Sequence, residues 1–79
     1  MKLSSVVSKK LISICNDRNI SINKLATMSC LTQSTVQNII EEKSKNPKLL
    51  TIARICDGLG IELKDFFNDE LFKDIDLEN

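Results

Sequence analysis

The side chains best suited to chemistry lie between Gln33 and Glu41. Gln33, Ser34, Gln37, Asn38 and Glu41 are spaced so that, projected at about 100° per residue, they fall on one side of a helix, with Val36, Ile39 and Ile40 on the other. The outward side is rich in amides and hydroxyls and carries no Lys or Arg. A helix face that merely meets water favours Glu and Lys. Amides near a helix start suit hydrogen bonding to base edges, where a paired donor and acceptor are read together. The plain alternative is a polar surface with no partner.

Other chemistry is poorly provided for. The chain has no His, so the commonest general base near neutral pH is missing, and no acid–lysine pair forms a recognisable catalytic motif. Cys15, Cys30 and Cys56 make no CxxC pair and, without His, no zinc spacing. No enzyme activity, metal, cofactor or small-molecule ligand is therefore expected. An odd number of cysteines without a secretory segment predicts reduced thiols and a cytoplasmic setting. Cys15 and Cys56 fall on apolar helix stripes, whereas Cys30 falls in a turn and is the candidate exposed thiol. Lys9 and Lys10 interrupt the apolar residues of the N-terminus, which therefore reads as neither signal peptide nor membrane span.

Charge is divided along the chain. Residues 1–54 hold nine Lys/Arg and three Asp/Glu, and residues 55–79 hold two and eight, so a net charge of zero conceals halves of +6 and −6. A basic half facing nucleic acid with an acidic far end fits this division, and so does an ordinary bundle with a solubilising tail.

These side chains need elements to position them. With 79 residues, three Phe, no Trp and no Tyr, the chain supports one small domain with a core of Leu, Ile, Val, Ala and Cys, most simply a helical bundle. Apolar periodicity predicts a first helix over about Ser5–Arg18, capped by Ser4 or Ser5 and stopped at a left-handed Asn19. Ser21 caps a second helix, Ile22–Met28. Ser29-Cys30-Leu31 makes a turn, and Thr32 caps a third helix, Gln33–Glu41. A loop with Lys43, Lys45, Lys48 and Pro47 leads to a fourth helix from Leu49 to Leu59, stopped by Gly58 and Gly60. Ile61, Leu63, Phe66 and Phe67 mark a short fifth helix. No strand pattern is present. Val36, Ile39, Ile40, Leu25, Leu11, Ile14, Ile52, Ala53 and Leu59 are expected to be buried together.

The run from Leu11 to Phe67, about three quarters of the chain, resembles the phage repressor and Cro (xenobiotic-response-element) family of helix-turn-helix domains. The resemblance rests on Ser21…Leu25-Ala26, Leu31-Thr32-Gln33-Ser34-Thr35-Val36, Lys43, Asn46-Pro47, Leu49…Ile52-Ala53…Cys56-Asp57-Gly58-Leu59-Gly60-Ile61 and Leu63…Phe66-Phe67, in that order and spacing. It implies an all-α, compact five-helix, lambda-repressor-like domain over residues 1–68, followed by an acidic tail over 69–79 that is either irregular or a short helix. It implies a sequence-specific transcription regulator, most simply a repressor. Its recognition helix would place Gln33, Ser34, Thr35, Gln37 and Asn38 against bases. Ser21, Thr32, Lys43, Ser44, Lys45 and Lys48 would stand at phosphates. The family usually binds double-stranded DNA as a two-fold dimer, so a homodimer is expected.

The chain departs from the family's pattern at several positions. Ile22 stands where many members have Gln, and Glu41 where many have Asn, which removes two phosphate contacts and adds a repelling charge. Cys30 and Glu42 occupy positions where Gly usually relieves a positive φ. Cys15 and Ile40 replace a buried Arg–Glu pair, and both partners became apolar together. Ile22 and Glu41 motivate an alternative reading, an antitoxin-like or protein-binding module with weak or lost DNA binding. Leu71, Phe72 and Ile75 fall on one side of a short helix. They predict either a dimer contact shared with the fifth helix or a segment folded over its own bundle.

Overall fold

The computed structural model describes residues 1–77 and contains five helices in the order α1 (Leu3–Arg18), α2 (Ile22–Met28), α3 (Gln33–Ile40), α4 (Leu49–Leu59) and α5 (Leu63–Phe67). A single 3₁₀ turn, Glu70–Phe72, follows. The described residues form no sheet; one isolated parallel bridge pairs Lys2 with Asp76. No helix among them is long and apolar enough to cross a membrane.

Turn chemistry explains where the helices begin and end. Ser21 and Thr32 adopt extended backbone and their hydroxyls accept from Lys24 N and Thr35 N, at 3.0 and 3.2 Å, so each satisfies an N–H that a helix start leaves open. Four helices close in the same way: a residue with positive φ follows the last turn, and the next N–H reaches back five residues. The bonds are Ile20 N to Cys15 O, Leu31 N to Ala26 O, Lys43 N to Asn38 O and Ile61 N to Cys56 O, at 3.0, 2.9, 2.9 and 3.0 Å. The left-handed residues are Asn19, Cys30, Glu42 and Gly60, of which one is glycine. At α5, Glu62 and Asp65 form a reciprocal capping box.

Packing joins α2 to α3, α1 to α3, α2 to α4 and α4 to α5. The core draws Val7, Leu11 and Cys15 from α1, Leu25 and Ala26 from α2, Val36 and Ile39 from α3, Ile52, Ile55, Cys56 and Leu59 from α4, and Phe66 from α5. Side chains from α1 tie down two helix ends: Ser8 Oγ donates to Ile40 O at 2.5 Å and an Arg18 guanidinium N–H to Leu59 O at 2.7 Å. Each supplies a donor to a carbonyl near a helix C-terminus, where the intrahelical partners run out.

Several details correct the expectations from sequence. Helix α1 begins at Leu3 and is preceded by Lys2, which offers no side-chain cap; Ser4 is buried instead. Helix α3 ends at Ile40, with Glu41 as its C-cap. Ile14 and Ile40 are half-buried against the core and Ala53 is half-buried, while Val6, Ile55 and Phe66 are fully buried. Gly58 does not stop α4; it sits within the last turns because a Cβ there would come within 2.5 Å of Met28 O. The tail is not a helix with Leu71, Phe72 and Ile75 on one side. It is a 3₁₀ turn followed by an irregular stretch that folds over its own bundle. Phe72 packs against the core and closes an aromatic cluster with Phe66 and Phe67, the centroid separations being 5.1 to 5.9 Å for the Phe66 pairs and 5.0 Å for Phe67–Phe72. Lys10 pairs with Asp69 at 2.8 Å, and Asp76 N donates to Met1 O at 2.9 Å. Glu78 and Asn79, the last residues of the expected tail, lie outside the described residues.

Candidate nucleic-acid interface

Helix α3 is held by its apolar side and by both of its ends. Val36 and Ile39 are buried, Thr32 closes the start, and Ser8 grips the Ile40 carbonyl. The opposite side therefore points outward with little freedom to rotate about the helix axis. Gln33, Ser34 and Asn38 are exposed, and Thr35 and Gln37 are half-buried. The hydroxyl of Thr35 lies 2.8 Å from Thr32 Oγ1 and that of Ser34 lies 3.3 Å from it, so the three hydroxyls form one group around the helix start.

The loop after α3 folds back on the helix. Asn38 O accepts from Lys43 N and Ser44 N, at 2.9 and 3.3 Å. An open groove of 420 Å³ separates the helix from the start of α4, and Thr35, Asn38, Ser44, Pro47, Lys48 and Thr51 line it with their neighbours. Lys48 thus shares a groove with two of the residues expected at bases. Lys45 turns elsewhere, toward a second groove of 450 Å³ bounded by Lys2, Leu3, Glu42 and the tail residues Ile75, Asp76 and Leu77. Asn46 lines both. Ser21 belongs to a separate element, where it is exposed at the start of α2. Ile22 is half-buried and packs against the core, so this position presents no polar side chain to a ligand.

One arrangement escaped the sequence reading. Glu41 accepts from Gln37 Nε2 at 3.2 Å and pairs with Lys43 at 3.4 Å. Two residues expected to meet DNA separately are therefore joined through Glu41, which the helical period places on the same face and whose charge repels phosphate. The i, i+4 spacing of Gln37 and Glu41 was the available signal. Its reinforcement by Lys43 depends on the turn at Glu42, whose φ is 61° and whose carboxylate accepts a hydrogen bond from Ser5 Oγ.

The cysteines divide by environment. Cys15 and Cys56 are buried and Cys30 is exposed. Burial pushes the Cys15 and Cys56 thiols up from their ordinary value, and at Cys56 the charge of Asp65 adds to the effect.

A rigid helix with an outward amide and hydroxyl face, preceded by a shorter helix and a tight turn and followed by a lysine-bearing loop, defines a helix-turn-helix domain. A profile of the Cro/C1-type HTH DNA-binding domain matches residues 10–71. The crystal structure of the prophage Lp1 protein 11 is similar at 37% identity and a TM-score of 0.80, covering 95% of this chain and 100% of that one. No protein with a curated description matches. The chain belongs to the Cro/C1-type family of helix-turn-helix DNA-binding domains.

Proposed function

We propose that the protein is a sequence-specific transcription regulator, a repressor in the phage manner, that lays α3 in the major groove of operator DNA. The observation that carries this reading is the outer face of α3: Gln33, Ser34 and Asn38 stand exposed beside the groove shared with Lys48. Gln33, Ser34, Thr35, Gln37 and Asn38 read base edges. Ser21, Thr32, Lys43, Ser44, Lys45 and Lys48 hold the backbone. The similarity to a prophage protein supports a phage-type regulator. Selecting bound duplexes from a random pool yields the operator and begins the test. Gln33→Ala then costs about 1–3 kcal/mol on that operator and relaxes preference at one base pair. Lys45→Ala weakens all duplexes alike and flattens the salt dependence. Equal weakening of every duplex by both variants would remove Gln33 from base reading.

Two copies are proposed to act together. The molecule is 32 Å in its longest dimension, and two-fold half-sites lie about 34 Å apart, so one copy serves one half-site. Exposed apolar groups that a second copy would cover are Leu63 and Phe67 on α5. Sedimentation of the protein with and without operator checks this, and a chain that stays monomeric on DNA would sink it.

The second reading, a protein-binding or antitoxin-like module with lost DNA binding, is favoured by Glu41, an exposed carboxylate where a phosphate donor is usual. A pool selection that returns no enriched duplex would support it over the first.

A further inference from the structure

We propose that Glu41 fixes the orientation of the Gln37 amide and thereby sets which base Gln37 selects, an inference that rests on the DNA-reading function proposed above. A carboxylate has no hydrogen to give, so the amide edge facing Glu41 Oε2 must be Nε2, which donates at 3.2 Å. The other carboxylate oxygen, Oε1, meets the Lys43 ammonium at 3.4 Å, which holds Glu41 from the far side and offsets its charge. Flipping the amide would set two oxygens against each other. Gln37 therefore presents its nitrogen toward the C-terminal end of α3 and its carbonyl oxygen away from Glu41.

The position is suited to reading. At about 100° per residue, Gln37 and Glu41 lie 40° and 80° round the helix from Gln33, inside the outward face that also carries Ser34. A free glutamine flips its amide and so meets either a donor or an acceptor on a base. A glutamine held by a carboxylate keeps its oxygen and its remaining N–H in fixed places. The held carbonyl oxygen needs a base donor, which the major groove offers at adenine N6 and cytosine N4 and withholds at guanine and thymine. Nε2 keeps a second hydrogen after serving Glu41, so adenine, with N7 beside N6, satisfies both ends of the amide. The expected preference at this base position is adenine, which satisfies both ends of the amide, over cytosine, guanine and thymine, which each satisfy one. Glu41 touches no base in this account; it is a positioning residue acting through Gln37.

The experiment has two parts. In the free protein, the side-chain amide resonances of Gln37 are followed by NMR in the native chain and in Glu41→Ala. A clear shift on substitution is expected, and no shift overturns the proposal before any DNA is added. On DNA, native protein, Glu41→Ala, Gln37→Ala and the double variant are titrated at one ionic strength with the selected operator and its single-base-pair variants. Loss of a charge from Glu41→Ala raises affinity for all duplexes by a common factor, and that factor is divided out. What remains should be a drop, from on the order of tenfold to about twofold, in the adenine-over-guanine ratio at one base pair per half-site. Gln37→Ala should erase the ratio at the same base pair, and the double variant should match it. If Glu41→Ala leaves every ratio intact, or Gln37→Ala alters none, the proposal falls while DNA reading stands. If no duplex is selected by the native protein, both fall together.

Discussion

At the scale of single residues, Cys30 shows how much a local rule costs to break. It holds φ 56° in the turn between α2 and α3, a region that penalises any side chain with a Cβ, and it is exposed, so no packing is gained in return. Cys30→Gly is therefore expected to stabilise the fold by about 0.5–1 kcal/mol, after the greater freedom of glycine in the unfolded chain is set against the relief of strain. Chemical denaturation checks the sign, and unchanged or lower stability would mean that the turn has already relaxed around the cysteine. The same residue separates the thiols. A thiol reagent near neutral pH should modify Cys30 quickly, while Cys15 and Cys56, buried and with thiols pushed up by that burial, react only as the protein unfolds. Two fast equivalents would mean that the core opens at α1 or α4.

At the scale of elements, Gly58 is a joint between α2 and α4. A glycine inside a helix ordinarily costs about 1 kcal/mol relative to alanine, so Gly58→Ala would stabilise an isolated α4. Here the added Cβ meets Met28 O at 2.5 Å and Ser29 Cα at 3.0 Å, both of them backbone atoms, which cannot move aside without moving α2. The expected outcome is a net loss of about 1–3 kcal/mol, together with weaker operator binding, because α2 supports the turn that leads into α3. A gain in stability would show that α2 shifts freely. This joint marks the limit of what the sequence discloses. The N-caps Ser21 and Thr32 and the 3.6-residue period of α3 are local signals, and they predicted both elements and the outward face of the site. A glycine required by a neighbouring helix looks the same in sequence as one that ends its own, so Gly58 read as a stop. Leu71, Phe72 and Ile75 misled for a related reason: their spacing suits one side of a helix, but Phe72 is drawn to Phe66 and Phe67 and leaves only a 3₁₀ turn. Within α3, the exposure of Gln33, Ser34 and Asn38 followed from the period, whereas Thr35 and Gln37 are half-buried. The link from Gln37 through Glu41 to Lys43 depends on the turn at Glu42 and on side-chain rotamers, which periodicity does not specify.

At the scale of the whole molecule, the divided charge of the sequence is folded back on itself. The acidic tail does not trail away from the basic half; it returns along α1 until Asp76 lies beside Lys2 and shares a groove wall with Lys45. Its anchor is the part-buried Lys10–Asp69 pair. The backbone N–H of Leu71, followed by the Lys10 ammonium, holds the Asp69 carboxyl below its ordinary value. A depressed carboxylate contributes stability that is complete above its unfolded-state pKa and is lost as pH falls through the folded value. The anchor is therefore intact near neutral pH and released only in acid, and Asp69→Asn should flatten the acid end of the stability profile while leaving its shape near neutrality. A steep acid loss that persists in Asp69→Asn would assign it to other carboxylates.

The placement of Asp76 has a further consequence for binding. Phosphate approaching Lys45 meets the field of Asp76, offset in part by the Met1 ammonium at 3.4 Å, within the same groove, and Asp74 adds to the acidity of that segment. Asp74→Asn with Asp76→Asn removes two negative charges and the ion pair of Asp76 Oδ2 with the Met1 ammonium at 3.4 Å, while the backbone bond from Asp76 N to Met1 O needs neither carboxylate. The variant should bind operator and unrelated duplexes more tightly by a common factor of about three to ten at low salt. The gain should shrink as the Debye length falls from about 30 Å at 0.01 M to about 8 Å at physiological ionic strength, and the preference among sequences should not change. Titrations of both duplexes across that salt range supply the check. A gain that persists undiminished at high salt would mean that the substitutions act by releasing the tail, and no gain at low salt would place the acidic segment outside the field that DNA meets.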